Sequence, residues 1–397
     1  MNKKKKILLL ILSLTLVSLV TLMTYLHFTT TEDLVFKKEI TLTFRQKIKN
    51  SDLIEKINGK LLLDPYVDTN VVGKRKVQVT YYNHYGFIEN KSVEVTIKDI
   101  TPPTVVVNKV LSLEVGSTTN LLDNIFCADD YDDKVTCQIE GDYQLNKVGK
   151  YNLKITAKDN SNNITSKAFT LRITEKEKTT TPPKETKTDF KEVYQKYKTK
   201  NTLIGIDISK WQEEIDFSKI KEQGVEFVMI KIGGQSQKGG KIELDPKFSQ
   251  NITNALAHNL KVGIYFYSHA TNTKEAKKQA EWIIKKVKDY QLDLPIALDW
   301  ENWSKYTSYH LSFHTLNNIA NAFFTTLEEN NYQTLLYSSK YYLENIWYEE
   351  EYNNWIAHYT TNSTNKEKYT MWQLCSDGKI DGIDSFVDID VLFQKDK

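Results

Sequence analysis

The 397-residue sequence contains few of the residues that cross-link or bend a chain: 3 Cys, 7 Pro and 15 Gly. Three cysteines exclude a small scaffold held by many disulfides. A Gly-rich phosphate loop, an HExxH motif and paired CxxC motifs are also absent, and the histidines show no ligand spacing. We therefore predict neither a metal nor a cofactor. Hydrophobic (40%) and charged (26%) fractions are ordinary, which excludes wholesale disorder, collagen and a multi-span membrane protein.

Charge and tryptophan are unevenly distributed. The net charge is +2, but residues 1–200 carry 32 Lys+Arg against 24 Asp+Glu, whereas residues 201–397 carry 21 against 27. All 7 Trp follow residue 200. At about 100–200 residues per domain, the chain is two or three joined domains of different character. The basic residues are mostly Lys spread over predicted strands, which argues against a nucleic-acid partner.

The N-terminus (residues 1–30) resembles an export segment. Lys3–Lys6 precede a charge-free run, Ile7–Leu26, long enough to cross a hydrocarbon core of about 30 Å as a helix. We expect a transmembrane signal anchor with the lysines in the cytoplasm and the later domains on the cell-wall side. A cleaved signal peptide, which would release a secreted protein, is the alternative.

Two strand-rich modules follow, over residues 33–99 and 100–174, with a linker at 175–200. Val72–Thr80 recurs 76 residues later as Val148–Thr156, which indicates duplicated all-β sandwiches. The second module resembles bacterial immunoglobulin-like modules, and the first does so more weakly. We interpret both as a passive stalk, with glycan binding as the alternative.

One module carries two of the three cysteines. Cys127 and Cys137 enclose a short acidic loop, and outside the cell they are candidates for a local disulfide. The acidic loop has carboxylates suited to Ca²⁺, but it lacks the glycine and spacing of an EF-hand. We therefore interpret it as a solvated loop.

Residues 201–397 alternate buried strand-like runs with amphipathic stretches. Helical stretches follow only the first five of eight apolar runs, which predicts an irregular, TIM-like α/β barrel of five β/α units and then three strands. The predicted strands are Leu203–Ser209, Phe227–Gly233, Val262–Ser268, Pro295–Glu301, Thr334–Ser339, Asn354–Tyr359, Tyr369–Leu374 and Val387–Phe393.

Carboxylates recur where these strands end. Asp207, Asp299 with Glu301, and Asp388 come from three strands, and chemistry in such barrels sits at the carboxyl ends of strands. Residues i and i+2 of a strand share a face, so Asp299 and Glu301 share one site. Two carboxylates at one bond are the minimum equipment for glycoside hydrolysis. Mutual repulsion favours Glu301, the longer side chain, as the proton donor.

Residues 202–394 resemble glycoside hydrolase family 25, the muramidases. The motifs are Gly205–Gln212, Phe227–Gly233, Val262–Ser268, Leu294–Glu301, Trp355–Ala357, Met371–Leu374 and Gly382–Asp388. The resemblance implies hydrolysis, with retention, of the β-1,4 bond between N-acetylmuramic acid and N-acetylglucosamine in peptidoglycan. A silent peptidoglycan-binding scaffold and a glycosidase acting on another N-acetylated glycan are the alternatives.

The resemblance also implies roles for single residues. Glu301 would be the acid/base, and Asp299 would assist either through the substrate's 2-acetamido group or as a nucleophile. Asp207 and Asp388 would orient the sugar, and Tyr267 would lie beside the reacting carbon. The further substrate-binding candidates are Tyr265, Trp211, Trp300, Trp372 and Gln373, with barrel packing as the alternative for the tryptophans. The sequence departs from the family at Asp390, where Asn is usual.

Overall fold

The computed structural model describes residues 11–23, 32–176, 187–301, 306–360 and 369–394. The chain divides into two compact units, Met1–Ile100 and Thr101–Lys397. Residues 11–23 form helix α1. The prediction of a transmembrane helix over Ile7–Leu26 is corrected, because within the described residues no helix is both long and apolar enough to cross a membrane. Lys3–Lys6 lie outside the described residues.

The first unit holds a β module of two sheets. Its strands are β1 (Leu34–Phe36), β2 (Thr41–Thr43), β3 (Ile54–Ile57), β4 (Gly59–Leu61), β5 (Gly73–Asn83) and β6 (Ile88–Lys98). Strands β1 and β3 pair with each other, and a four-stranded sheet has the order β2-β6-β5-β4. One face of the long β5–β6 hairpin carries the core residues Val79, Val95 and Ile97. The alternation of buried and exposed residues explains why this stretch forms strands.

The second module, in the other unit, repeats this topology. Its strands are β7 (Thr104–Val106), β8 (Val110–Glu114), β9 (Phe126–Ala128), β10 (Thr136–Glu140), β11 (Gly149–Lys158) and β12 (Ile164–Thr174). Strand β7 pairs with β9, and the larger sheet has the order β10-β11-β12-β8. A disulfide joins Cys127 to Cys137. Each module thus has the same two sheets, as the internal repeat predicts; the likeness to immunoglobulin domains stays a prediction.

The remainder of the chain forms one large sheet. Its strands are β13 (Thr188–Asp189), β14 (Thr202–Ile208), β15 (Phe227–Gln235), β16 (Ile242–Leu244), β17 (Lys261–Tyr267), β18 (Ile296–Asp299), β19 (Thr334–Ser339), β20 (Asn354–Ala357), β21 (Met371–Lys379) and β22 (Val387–Phe393). Eight of them close a barrel in the order β14-β15-β17-β18-β19-β20-β21-β22, because β22 also pairs with β14. Two further strands pair with single barrel strands: β13 pairs with β21, and β16 pairs with β15.

The barrel departs from a TIM barrel in one strand direction. Strand β22 is antiparallel to both of its neighbours, whereas the other seven strands of the barrel run parallel to one another. The short segment between β21 and β22 has no crossover helix, and a parallel pair requires a crossover of a dozen or more residues. The expectation of a TIM-like barrel is corrected in this respect.

Helices cover the outside of the barrel. They are α2 (Phe190–Tyr197), α3 (Phe217–Glu222), α4 (Phe248–Ala257), α5 (Thr273–Val287), α6 (Tyr306–Tyr309), α7 (Phe313–Glu328) and α8 (Lys340–Asn345). Alternate strand residues such as Ile204, Ile206 and Ile208 pack outward against them. The intervening residues fill the barrel interior with Leu203, Phe227, Met229, Ala297, Leu335, Trp355, Met371 and Leu392. The residues available for chemistry lie beyond this apolar interior, toward the ends of the strands.

The segment predicted as a linker belongs in part to the barrel. Residues 177–186 lie outside the described residues, but β13 and α2 follow them. Strand β13 pairs with β21, and Thr188 donates to Asp377 at 2.7 Å. Phe190 and Val193 of α2 are buried in the barrel core. Residues 188–197 are therefore part of the folded domain rather than a spacer.

The second β module also contacts the barrel. Phe126 of β9 lies 5.0 Å from the ring of Tyr306 and 6.4 Å from that of Phe313. At the start of α7, the Ser312 amide donates to the Asp133 carboxylate (2.8 Å) and the Phe313 amide to the Asp129 carbonyl (2.8 Å). The module thereby caps the first turn of α7.

Candidate active site

The four predicted carboxylates meet at one mouth of the barrel. Asp207, Asp299, Glu301 and Asp388 all line a cavity of about 370 Å³. The other lining side chains are Lys231, Tyr265, Tyr267, Tyr337, Trp355, Tyr359 and Gln373. Four acids from three strands therefore share one space, as expected from the positions of the strand ends. Their roles remain predictions.

Asp299 and Glu301 are set by the buried residue between them. Trp300 is fully buried, donates from Nε1 to the Ala270 carbonyl at 3.0 Å, and meets Tyr306 and Tyr309 edge-on. Because successive side chains of an extended chain point to opposite faces, an anchored Trp300 turns its two neighbours toward the cavity.

Asp299 lies between two tyrosines. In the strand register it is paired with Tyr267 on β17 and with Tyr337 on β19. Its Oδ1 is buried and has no hydrogen-bond partner among the described residues. Burial, and then the nearby Glu301 charge, raise the pKa of Asp299 well above its ordinary value. An acceptor left open in this way is available to a substrate group.

Glu301 is exposed at the same mouth. Loss of hydration around its carboxyl raises the pKa of Glu301, and the Lys231 cation opposes that rise. A raised pKa allows a carboxyl group to hold a proton for transfer near neutral pH. The two carboxyls of this pair are therefore in different surroundings, one buried and one open.

Lys231 is a site residue that the sequence analysis missed. Its Nζ lies 4.9 Å from the ring centre of Tyr267 and 5.8 Å from that of Tyr265. Its charge lowers the pKa values of both Asp299 and Glu301. The sequence did contain an indication of it, since Lys231 is the single charged residue of the otherwise apolar strand Phe227–Gly233. A charge on a buried strand requires a partner, so such a lysine indicates a site.

Asp207 is held by an oriented amide. Gln373 donates from Nε2 to Asp207 Oδ2 at 2.8 Å. The hydroxyls of Tyr337 and Tyr359 both donate to Gln373 Oε1, at 2.9 and 3.0 Å. These two donors fix the amide so that its NH₂ group faces Asp207. Tyr337 and Tyr359 were not singled out in the sequence, since tyrosine is frequent throughout the chain.

Asp388 lies at the mouth on β22, the strand that runs in the direction opposite to its neighbours. It stands at the beginning of β22, opposite Asp207 in the antiparallel register. The prediction placed it at the carboxyl end of a parallel strand; the position at the mouth is right, but the strand direction is wrong. Burial, and then the Asp207 charge, raise the pKa of Asp388 to about 8.

The cavity is the middle of a longer groove. A neighbouring cavity of about 500 Å³ shares Glu301, Tyr337 and Tyr359 with it. A third, of about 230 Å³, shares Lys231 and Tyr267 on the other side. The groove thus continues past the carboxylates in both directions, which suits a polymeric ligand lying across the mouth.

The three tryptophan candidates differ in exposure. Trp211 is 70% exposed, so its stacking role stays a prediction. Trp300 and Trp372 are buried in the domain core, and Trp372 donates to the His358 carbonyl at 2.8 Å. The expectation that these two stack on sugars is corrected: they pack the barrel. Tyr265, Tyr267 and Gln373 do line the cavity.

Two carboxylates of the acidic loop lie close to a third one in the turn between β11 and β12. Oxygens of Asp129, Asp132 and Asp159 lie within 4.8 Å of one another. Each also accepts hydrogen bonds from nearby groups; Asp132, for example, accepts from the Asn160 amide at 2.9 Å. We assign no metal to this loop.

Paired carboxylates inside a groove at the mouth of a barrel are typical of glycosidases. The family profile of Glycosyl hydrolases family 25 matches residues 206–383. A protein of Escherichia coli K12, named Uncharacterized protein YegX, is 30% identical over 201 residues, covering 48% of this chain and 70% of that protein. The chain belongs to glycosyl hydrolase family 25, which confirms the resemblance of the barrel and the prediction of a glycosidase.

Proteins named as lysozymes are among the relatives. The autolytic lysozyme of Clostridium acetobutylicum is 26% identical over 191 residues, which cover 47% of this chain and 55% of that protein. Among solved structures, the autolysin LytC of Streptococcus pneumoniae in complex with synthetic peptidoglycan ligand is 26% identical, with a TM-score of 0.44. That match covers 49% of this chain and 48% of LytC.

Proposed function

We propose that the barrel is a muramidase that hydrolyses the β-1,4 bond between N-acetylmuramic acid and N-acetylglucosamine in peptidoglycan. The observation that carries the proposal is the pair Asp299 and Glu301, set side by side in a groove that is open in both directions. The lysozymes among its relatives support the same substrate.

Each carboxyl has a distinct task in this proposal. Glu301, exposed and with a raised pKa, donates its proton to the leaving glycosidic oxygen as the bond to the anomeric carbon breaks. Asp299 stabilises the developing positive charge from the buried side, either through the 2-acetamido group or by direct attack. Glu301, now a carboxylate, then takes a proton from the incoming water. Two displacements at one carbon give retention.

Asp207 and Asp388 orient the sugar from the opposite wall. Asp207 is fixed by Gln373, so its remaining acceptor capacity has a defined direction. Asp388 is a hydrogen-bond donor while its carboxyl is protonated, which its raised pKa allows at neutral pH. We place this activity outside the cytoplasm, where peptidoglycan lies and disulfides persist.

Product analysis tests the proposal directly. Purified peptidoglycan is digested with the full chain, the new reducing ends are reduced with borohydride, and the fragments are identified by mass spectrometry. We expect muramitol at every new end. Glu301→Gln should release no fragments, whereas Glu281→Gln, a control at an exposed position of α5, should release them as the wild type does. Glucosaminitol ends would identify a glucosaminidase, and an inactive wild-type chain would favour a silent glycan-binding barrel.

A further inference from the structure

A fifth carboxyl group, Asp390, is buried behind the cavity, where it accepts a hydrogen bond from the lining residue Trp355, and it has no task in the hydrolysis described above. It is two residues after Asp388 on β22, so both side chains point into the barrel. Asp390 is fully buried, with 0% of its surface exposed. An ionised carboxylate at such a position requires compensation by donors or by a cation.

The hydrogen bonds of Asp390 leave one of its oxygens without an N–H or hydroxyl donor among the described residues. Trp355 donates from Nε1 to Asp390 Oδ1 at 2.8 Å. Oδ2 is buried, and no N–H or hydroxyl among the described residues donates to it. The Asp207 carboxyl lies within hydrogen-bonding reach of Asp390. Asp207 in turn receives one N–H bond, from Gln373. Each carboxyl therefore has one nitrogen donor and the other carboxyl.

The groups that surround Asp390 add negative charge. Asp207 faces it from β14 and Asp388 from its own strand, and Tyr265 and Tyr337 pack on the Trp355 ring. Within the described residues neither Asp207 nor Asp390 forms an ion pair; Lys231 lines the same cavity, but its ammonium group lies at the Tyr265 and Tyr267 rings. Two carboxylates in hydrogen-bond contact, without a cation, cannot both be ionised, so one proton is retained between them.

We propose that Asp207 and Asp390 share one proton at neutral pH, and that Asp390 is a positioning residue joined to Asp207 by an O–H···O hydrogen bond. Such a bond to an ionised acceptor is short and strong. With Gln373 it fixes Asp207 from two sides, which leaves that carboxyl a single orientation toward the cavity. Burial raises the pKa values of both aspartates; the Asp390 charge further raises that of Asp207, and the Asp388 charge further raises that of Asp390, whereas the hydrogen bond with Asp207 lowers the pKa of Asp390. Only the catalytic consequence rests on the proposed function.

Counting charges tests the shared proton without any substrate. A pair holding one proton carries one negative charge, and so does either single variant, Asp207→Asn or Asp390→Asn, once the remaining carboxyl is ionised. We expect both single variants to migrate with the wild type in native capillary electrophoresis at pH 7. The double variant should differ by one charge step, equal to that of Asp289→Asn, a control at an exposed site of the same domain.

Two results would overturn the proposal. A two-step shift in the double variant would mean that both carboxyls are ionised in the wild type. No shift in the double variant would mean that the pair is neutral. Near-ultraviolet circular dichroism establishes that each variant is folded before its mobility is compared.

Hydrolysis gives a second readout for the positioning role. Asparagine keeps a donor for Asp207, whereas leucine has a similar size and none. We expect kcat/KM of Asp390→Asn to exceed that of Asp390→Leu at least tenfold; equal values would contradict positioning. If the wild type releases no fragments, the proposed function fails, but the charge measurement still decides the shared proton.

Discussion

Replacing Glu301 with glutamine is the sharpest test of the catalytic assignment. Glutamine has the same shape but no proton to give to a leaving oxygen. Glu301 is exposed and makes no hydrogen bond within the described residues, so the change should alter the free energy of unfolding by less than about 0.5 kcal/mol. General acid catalysis contributes about 10²–10⁴-fold, equivalent to a barrier change of about 3–5 kcal/mol. We therefore expect that loss in kcat/KM on peptidoglycan with an unchanged midpoint of thermal unfolding.

The identity of the lost step is tested with a second substrate. An aryl glycoside of the same sugars has a phenolate leaving group that departs without protonation. Glu301→Gln should lose far less activity on this substrate than on peptidoglycan, and the control Glu281→Gln, exposed on α5, should lose none on either. Equal losses on both substrates, or a loss below tenfold on peptidoglycan, would refute the assignment of Glu301 as the acid.

Three further predictions concern the surroundings of the site. Lys231 lowers the pKa of Glu301, so Lys231→Met should raise that pKa and move the alkaline limb of the kcat/KM profile to higher pH, while Lys231→Arg should leave it in place. Folding raises the pKa of Asp388 from 3.8 to about 8, so the native state retains a proton that the unfolded chain loses, and stability falls as pH rises through this interval. Urea titrations at several pH values should show a shallower decline for Asp388→Asn; an unchanged slope would contradict the shift. Phe126→Ala removes a ring from the contact with the barrel and should lower the free energy of unfolding by about 3 kcal/mol, against a smaller loss for Phe126→Leu.

The barrel strands were largely predictable because they are buried on both faces. Runs such as Val262–Ser268 are largely apolar and are flanked by polar residues, so the predicted bounds agree closely with those of the strand, Lys261–Tyr267. Apolar periodicity carries no information on strand direction, however. The strand β22 was therefore predicted but its antiparallel direction was not, although Asp388 still reaches the mouth.

The features that were missed depend on contacts between distant parts of the chain. Trp300 and Asp299 are adjacent in sequence, and only the packing of Tyr306 and Tyr309 shows that the tryptophan points away from the groove. Likewise, the sequence marks Asp390 as a departure from the family pattern, but it does not show that Asp390 lies against Asp207. Its neighbour Asp207 is 183 positions earlier in the numbering, and the two are brought together by closure of the barrel.

The contact between β9 and the start of α7 limits how freely the parts of this protein can be exchanged. A different β module fused in its place would have to supply an aromatic ring for Tyr306 and Phe313, and acceptors for the Ser312 and Phe313 amides. A fragment beginning near residue 201 would lose these partners together with β13 and α2, and would expose apolar surface that the intact chain buries. Fragments for expression should accordingly begin at Thr101, and chimaeras that respect this boundary should remain soluble where shorter ones aggregate.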